Sequence, residues 1–371
     1  MKKLADFEPT EEQFGIFWKY IQDENVTDVD YNGREIWITD LVRGHYKAKE
    51  KPDEKFLVQF THMVANCVNR QFNQANKILE ADTRELRISI LHKSVSMGGT
   101  SICIRKSPPV VRNTISDLLE KGFCPKEILA LLMNCIRVGL NIVAGGEPGH
   151  GKTEFVKFLM QFIPENERVI TIEDTLELHY GEINRGSDYV ELRIEPGFDY
   201  TDAIKACLRQ NPRWLVLSEA RSTEVTYLME AWSTGVKGLT TIHLDDLRKL
   251  PDRIQNMMNN VNDADRMENR IYRYVNVGIL IRRVEQPDGT MFRYIDQLCF
   301  YSREKEQNEI CFLVKDGQMT GQTIPEEIRK RFVRSGIKDP FASERLEAYM
   351  ERGEGYCTES EGAKIPEGGG T

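Results

Sequence analysis

One eight-residue segment constrains this chain more than any other part of its 371 residues. Residues 146–153 read Gly-Glu-Pro-Gly-His-Gly-Lys-Thr and fit the pattern G-x-x-x-x-G-K-[ST] at each fixed position. Glycines at these places let backbone N–H groups fold around phosphate oxygens with no Cβ in the way. A chance match in a chain of this length has a probability on the order of one in a hundred. The apolar run before the segment and the helical pattern after it predict a strand, a phosphate-binding loop and a helix.

The predicted loop gives its last two residues separate tasks. Lys152 is expected to reach the β- and γ-phosphates of ATP, and the Thr153 hydroxyl is expected to ligate Mg²⁺. The positive end of the following helix points at the same anion. The predicted nucleotide-binding residues are Gly146, Glu147, Pro148, Gly149, His150, Gly151, Lys152 and Thr153. The alternative is a glycine-rich turn that binds nothing.

Composition narrows the class of protein. The net charge of −8 argues against nucleic acid as the main partner, so no direct nucleic-acid contact is expected. The most apolar stretch, 128–144, is interrupted by Asn134, Arg137 and Asn141, and it is too short and too polar to span a bilayer. The first residues show no apolar signal-peptide region, and the eight cysteines form no C-x-x-C pair. We therefore expect a cytoplasmic protein with reduced thiols and no zinc site.

The sequence predicts two domains. Residues 1–107 read as a small α+β domain, and the prolines of 108–112 mark a linker. In 113–340, apolar strands alternate with helices, which predicts an α/β domain with an open parallel sheet and closing hairpins near 287–289 and 316–317. Residues 341–371 are expected to form a short helix and then a flexible tail.

Within the first domain the pattern predicts four elements. These are a helix over 11–22, a hairpin over 26–38, a helix over 56–79 and a second hairpin over 86–104. The first hairpin contains Asn32-Gly33, which predicts a type I′ turn with both residues at positive φ.

Three side chains that follow apolar strands are candidates for the chemistry of the loop. Glu173 and Glu219 each come after a strand of the predicted sheet, and His243 ends another. Carboxylates at the C-terminal ends of such strands lie in the crevice where these folds bind ligands. Either glutamate can orient the attacking water or hold Mg²⁺ through water. We favour Glu219 for Mg²⁺ and water ordering and Glu173 for the base, with His243 sensing the γ-phosphate.

Four blocks in order resemble the secretion and traffic ATPases, which drive type II secretion, type IV and tight-adherence pili, and conjugation-type type IV secretion. They are the phosphate-binding loop, "RVITIEDTLEL", "CLRQNPRWLVLSEAR" and "TGVKGLTTIH". They look like the Walker A, Asp box, Walker B and His box of that family. The segments "VTDVDYNGREIWI" and "LRISILHKSVSMGGTSICIRK" are similar to its N-terminal domain, and "VNVGILIRRVEQPDGTMFRYI" is similar to its closing strands.

The resemblance implies a RecA-like ATPase domain behind a smaller N-terminal domain, with ATP and Mg²⁺ as ligands. Glu173 matches the Asp-box glutamate, Glu219 the Walker B glutamate and His243 the His-box histidine. Arg87, Arg105 and Arg209 match arginines that reach phosphates in the family, some of them across domains or subunits. The resemblance further implies a homo-oligomer, expected to be a hexameric ring, at the cytoplasmic face of the inner membrane with a membrane platform protein as partner.

The chain departs from the family pattern in three blocks, and in the His box Val236 stands where a histidine is common after Thr-Gly. Inside the loop, Pro148-Gly149-His150 replaces the usual Thr-Gly-Ser. In the Walker B block, Arg213 and Ser218 stand where aspartate and glycine are usual. Two alternatives to an ATP-driven motor therefore stay open: a nucleotide-binding regulator or scaffold with little turnover, and a nucleic-acid motor, against which the acidic charge balance argues. The absence of a tetracysteine zinc module favours the tight-adherence pilus and conjugation branch.

Overall fold

The computed structural model describes residues 8–258 and 264–352, and two β-sheets dominate it. The first sheet has six antiparallel strands in the order β3-β2-β1-β6-β5-β4. The strands are β1 (Val26–Tyr31), β2 (Ile36–Asp40), β3 (Gly44–Lys47), β4 (Ile78–Asp82), β5 (Leu86–Leu91) and β6 (Ser101–Lys106). Its helices are α1 (Glu11–Phe14), α2 (Trp18–Gln22) and α3 (Glu54–Cys67), and their buried phenylalanines pack with the inner strand residues in a separate core.

The second sheet has nine strands in the order β15-β14-β13-β12-β7-β11-β10-β8-β9. The six from β12 to β9 are parallel, and β13, β14 and β15 add antiparallel strands at one edge. The strands are β7 (Ile142–Gly146), β8 (Val169–Glu173), β9 (Tyr189–Arg193), β10 (Trp214–Leu217), β11 (Lys237–His243), β12 (Val277–Glu285), β13 (Met291–Glu304), β14 (Gln307–Lys315) and β15 (Gln318–Met319).

Helices cover both faces of this second sheet. Along β7, Ile142 and Ala144 join one hydrophobic cluster and Val143 joins the other, as the alternation of a strand requires. The first cluster includes residues of α4 (Ile115–Glu120), α5 (Lys126–Arg137), α6 (Lys152–Met160), α12 (Glu326–Arg334) and α13 (Glu344–Glu351). The second includes residues of α8 (Tyr200–Cys207), α9 (Glu224–Ser233), α10 (Leu250–Met257) and α11 (Ala264–Tyr274), while the short α7 (Tyr180–Ile183) follows β8.

The predicted fold class is confirmed: an α/β domain with a mostly parallel sheet follows a smaller α+β domain. Residues 107–113, which contain the predicted linker, belong to neither sheet. The segment predicted as a tail begins with α13, whose buried Leu346 packs in the core, and 353–371 lie outside the described residues. No helix among the described residues has both the length and the apolar character that a bilayer crossing requires.

Three local predictions were wrong. The helix expected over 56–79 ends at Cys67, because a polar turn follows it and the apolar end of that range forms β4. The pattern also missed β9, an edge strand with no fully buried residue. In the first hairpin Gly33 has φ 88°, but Asn32 is not at positive φ. The Asn32 side chain instead accepts the N–H groups of Arg34 and Glu35, which closes a longer turn.

Among the residues that the structure describes, two ion pairs join the domains, and they differ in burial. Arg193 of β9 pairs with Asp82 of β4, and both side chains are at least four-fifths buried, at 17% and 9% exposure. Arg84 pairs with Glu182 at 2.5 Å, but the arginine is 65% exposed. Removing one partner of a buried pair leaves an uncompensated charge, whereas an exposed pair is screened by water.

We therefore expect Arg193→Ala to lower the free energy of unfolding by about 3–5 kcal/mol, because Asp82 would stay buried without its cation. The matched variant Arg84→Ala should lower it by less than about 1 kcal/mol. Urea denaturation measures both values. Equal effects of the two substitutions would contradict the buried interdomain contact.

Candidate nucleotide site

The predicted phosphate-binding loop joins β7 to α6 at the C-terminal edge of the parallel strands. Gly149 and Gly151 have φ 76° and 87°, in the left-handed region that glycine adopts freely. Gly146 leaves no room for a larger residue, because an added Cβ would lie 2.7 Å from the Ile281 carbonyl oxygen. The backbone thus has the tight, glycine-dependent course that the motif predicts.

His150 attaches this loop to the neighbouring strand. Its Nδ1 lies 2.9 Å from the carbonyl oxygen of Ile281 in β12, so the ring donates there. The N–H of Glu147 lies farther from the same nitrogen, at 3.3 Å, and the shorter contact decides the tautomer. Burial lowers the pKa of His150 below its ordinary value. This residue is therefore a neutral anchor of the loop and does not compete with Lys152 for the anion.

Lys152 is buried at the start of α6. Its Nζ donates to the carbonyl oxygen of Glu147 at 2.9 Å and lies 3.3 Å from Nδ1 of His243. Burial lowers the pKa of Lys152 to about 8, and the nearby charges of Glu219 and Glu177 oppose that shift. The ammonium is thus held by neutral acceptors, in an orientation that an anion would stabilise.

A chain of polar contacts leads from Lys152 across the neighbouring strands. His243 Nε2 lies 3.0 Å from Oε1 of Glu219, and the other oxygen of that carboxylate accepts from Arg221 at 2.8 Å. Arg221 also pairs with Asp174 at 2.8 Å. The structure therefore brings Lys152, Glu219 and His243 together, as their positions after neighbouring strands predicted.

Glu173 lies apart from this chain. Its carboxylate is fully buried, and Oε2 accepts the N–H groups of Glu177 and Leu178 at 2.9 and 3.0 Å. Burial raises the pKa of Glu173 to about 8, although these two hydrogen bonds act in the opposite direction. Its geometry is that of an anchor for the loop after β8. The prediction that Glu173 is the base stays a prediction.

Glu177 is the carboxylate that the sequence reasoning missed. The Thr153 hydroxyl hydrogen-bonds to it, and Arg105 and Arg87 of the N-terminal domain lower its pKa while burial raises it more strongly. Arg87 and Arg105 face each other in register on β5 and β6. The available signal was the second glutamate of "IEDTLEL", four residues after the first.

The three predicted arginines have different positions. Arg105 is largely exposed and pairs with Asp28 at 2.7 Å, while facing Glu177. Arg87 lies beside it. Arg209 lies on the exposed segment between α8 and β10, at the N-terminal edge of the parallel strands and opposite the loop. Within one chain the structure does not bring Arg209 to the phosphate site, so its role across subunits stays a prediction.

Further arginines from β12 and β13 approach the loop, and the sequence reasoning did not assign them. Arg293 Nη2 lies 3.4 Å from the carbonyl oxygen of Gly149. Burial lowers the pKa of Arg293, and the charges of Arg283 and Arg112 lower it further. This crowding of cations is the environment that a phosphate chain neutralises.

Comparisons with known proteins agree with this geometry. The family described as type II/IV secretion system protein matches residues 62–312, and the chain belongs to that family. The chain is 27% identical over 322 residues to an uncharacterized protein of Bacillus anthracis, covering 83% of this chain and 73% of that protein. It is 28% identical over 256 residues to the type IV secretion system protein VirB11 of Brucella suis, covering 60% of this chain and 70% of VirB11.

Solved structures show the same fold. The ATPase DotB of Legionella pneumophila has a TM-score of 0.60 at 16% identity, covering 95% of this chain and 96% of DotB. The pilus retraction motor PilT with bound ADP has a TM-score of 0.54 at 15% identity, covering 91% of this chain and 89% of PilT. The family predicted from the four sequence blocks, the secretion and pilus traffic ATPases, is thereby confirmed.

Glu173 provides a pH test of this site. Its pKa is about 8 in the folded protein against an ordinary value of 4.5, so the folded state binds the extra proton between these values. The stability that this proton contributes is complete below about pH 4.5 and is lost as the pH rises through about 8. The contribution of Glu173 to the unfolding free energy, taken as the difference between the wild type and a variant that does not titrate at this position, should fall with pH in this window by up to about 1.4 kcal/mol per pH unit.

Glu173→Gln should remove that slope, because glutamine keeps the shape of the side chain and does not titrate. Glu195→Gln, on an exposed loop, is the control and should keep it. Denaturant unfolding across the pH range measures the slopes. An unchanged slope in Glu173→Gln would show that the carboxyl is not held in its protonated form.

Proposed function

We propose that this chain is an ATP-hydrolysing motor of a bacterial secretion, conjugation or pilus machine, in which hydrolysis drives movement between its two domains. One observation carries the proposal. Thr153 hydrogen-bonds to Glu177, and the charge of Arg105 acts on the same carboxylate. The residue expected to hold Mg²⁺ contacts a carboxylate that faces an arginine of the other domain. A change of charge at the phosphates would thus act directly on an interaction between the two domains.

The residues present fit a magnesium nucleotide. The loop from Gly146 to Thr153 surrounds an ammonium that contacts a backbone carbonyl and an imidazole, and the Thr153 hydroxyl lies against a carboxylate. Mg²⁺ bound there would be held through Thr153 and, by water, through Glu219, and it would neutralise charge on the phosphate oxygens. Lys152 would bind the β- and γ-phosphates, and the neighbouring Arg293 would lie against the same polyanion.

Hydrolysis requires a positioned water molecule. Its oxygen forms a bond to the γ-phosphorus, the bond to the β–γ bridging oxygen breaks, and ADP leaves. Glu177 and Glu219 are the carboxylates that the structure places beside Thr153 and Lys152. We assign the orientation of the attacking water to Glu177. We assign to Glu219 the ordering of the water molecules that would surround Mg²⁺. Glu173 positions Glu177 through its hydrogen bond to the backbone N–H of that residue.

The altered Walker B block does not argue against turnover. Arg213 precedes β10, at the N-terminal edge of the sheet, whereas Glu219 follows the same strand at the opposite edge. A four-residue strand spans roughly 13 Å, so an aspartate at position 213 would not reach the phosphates. The geometry favours the motor over the regulator or scaffold with little turnover, and steady-state phosphate release distinguishes them.

Glutamine variants of the three carboxylates test the assignment. Glu177→Gln should bind ATP normally and hydrolyse it at least ~100-fold more slowly, because the water loses its base. Glu219→Gln should also lower kcat, and Glu173→Gln should lower it less than Glu177→Gln does. Phosphate release and nucleotide affinity are measured together, with Lys152→Ala as the inactive reference. Near wild-type turnover in Glu177→Gln, together with a strong loss in Glu173→Gln, would show that Glu173 is the base and Glu177 is not.

Assembly into a homo-oligomeric ring, expected to be a hexamer, is part of the proposal, with an inner-membrane platform protein as its partner at the cytoplasmic face. An arginine that neutralises charge on the γ-phosphoryl oxygens contributes ~10³–10⁵ in rate in related NTPases. Arg105 is exposed and held by one carboxylate, so domain closure could exchange Asp28 for a phosphate. Arg209 is exposed at the far edge, where another subunit could use it.

We expect specific activity to rise with protein concentration as subunits associate. Arg105→Ala should lower kcat by about 10³ or more without a matching loss of ATP affinity, because the arginine acts on transition-state charge. Asp28→Asn is the matched control: it breaks the same ion pair but keeps the arginine, and it should stay active. Equal loss in both variants, or activity independent of concentration from a monomer shown by light scattering, would contradict this mechanism.

A further inference from the structure

A cavity of about 670 Å³ lies on the α/β domain, and arginines dominate its lining. Arg266, Arg270 and Arg273 of α11 recur at the spacing that puts side chains on one helix face, and Arg303 of β13 joins them. The lining includes one carboxylate, Glu230. The volume falls in the range of small-ligand sites, roughly 300–1,000 Å³.

Two of the arginines that line the cavity hydrogen-bond to neutral groups. Arg270 Nη1 lies 4.0 Å from the sulfur of Met267, and Arg303 donates to the amide oxygen of Asn308 at 2.7 Å. Neither partner carries a charge. Guanidinium groups that meet neutral acceptors around a cavity keep most of their capacity for an anion, and their planar N–H forks match phosphate oxygens.

Neutral donors complete the lining. Thr226 of α9 presents a hydroxyl, Asn269 an amide and Tyr274 a phenol, while the Ser233 hydroxyl already donates to the carbonyl oxygen of Glu230. Such groups donate to phosphate oxygens that guanidinium groups leave unpaired. The set resembles an oligophosphate site more than an apolar docking groove, and a volume of about 670 Å³ suits a compact ligand better than an extended strand of nucleic acid.

This cavity is distinct from the nucleotide site. Arg273 precedes β12, and β12 begins beside Ile142, the first residue of β7. The phosphate-binding loop follows the last residue of β7, at the opposite edge of the sheet. Five strand residues, about 16 Å, separate the two edges, so one nucleotide at the loop would not fill the cavity.

We infer that the cavity between α9, α11 and β13 is a second anion site, which binds a multiply phosphorylated ligand, either a free oligophosphate or a phospholipid headgroup. The shared chemistry is a compact cluster of phosphate oxygens. It enters at the N-terminal edge of the parallel sheet and is held by the guanidinium groups of Arg270, Arg273 and Arg303. This site is independent of ATP hydrolysis.

Inorganic tripolyphosphate is the probe for the free ligand, titrated calorimetrically into the full chain. The wild type should bind it at both the loop and the cavity, with ATP displacing the first portion alone. Lys152→Ala should retain the cavity portion. Adding Arg270→Gln and Arg273→Gln to Lys152→Ala should weaken this portion on the order of tenfold or more, since charge-assisted hydrogen bonds are lost. Glutamine preserves the helix propensity of α11.

The matched control adds Arg329→Gln and Arg334→Gln to Lys152→Ala. It makes the same charge change on α12, on the other face of the sheet. This control should bind tripolyphosphate as Lys152→Ala does. Cosedimentation with phosphatidylcholine vesicles, with and without cardiolipin, whose headgroup carries two phosphates, separates the two sources. Binding to the anionic vesicles that the α11 variant loses would identify a headgroup, and tripolyphosphate binding alone would identify a free oligophosphate.

Three results would overturn the inference. One is binding of tripolyphosphate that disappears with Lys152→Ala. Another is equal weakening by the α11 and α12 variants. The third is preference of the cavity for polyglutamate over tripolyphosphate, which would indicate an acidic protein segment, a neighbouring subunit included.

Discussion

The buried ammonium of Lys152 is the constraint on which the nucleotide edge of this protein depends. It is held by a backbone carbonyl and an imidazole, and burial lowers its pKa to about 8. Holding a cation this way is unfavourable until an anion arrives, so the fold must support the loop from elsewhere. The support comes from β12, where the Ile281 carbonyl accepts from His150 and leaves room for no more than a glycine at position 146. The sheet thereby holds the loop in a conformation that can bind phosphate.

The same edge also receives the N-terminal domain. Its antiparallel sheet presents Arg87 and Arg105 side by side to Glu177, which itself holds the Thr153 hydroxyl. In the proposed mechanism, a change of charge at the phosphates would therefore alter an interaction that crosses the domain boundary. The buried pair of Arg193 and Asp82 holds the domains together at another point of contact. A fixed contact beside an exchangeable one is an arrangement in which a hinge movement can occur.

The nucleotide site and the arginine-lined cavity lie at opposite edges of the parallel sheet, and helix α9 extends between them. α9 begins shortly after Glu219 and Arg221, and both Thr226 of its first turn and Ser233 at its end line the arginine cavity. Ten helical residues extend about 15 Å, which matches the depth of the sheet. The chain is acidic overall, but cationic side chains are concentrated at the nucleotide site and at the arginine-lined cavity. The net charge alone would have indicated neither of these two sites.

The sequence by itself determined the phosphate-binding loop, the alternation that gives the parallel sheet, and the positions of Glu219 and His243, because these follow from local patterns and from the shared C-terminal edge of parallel strands. It did not determine the ends of α3 or the edge strand β9, where half-exposed residues leave no clear period. It favoured Glu173 as the base and missed Glu177, although both lie in one acidic run. Only the tertiary structure shows that the Glu173 carboxyl is buried and accepts two backbone N–H groups, and that Thr153 of α6 hydrogen-bonds to Glu177. The arginine cavity likewise exists only once α9, α11 and β13 pack together, because no sequence spacing states which distant residues share one surface.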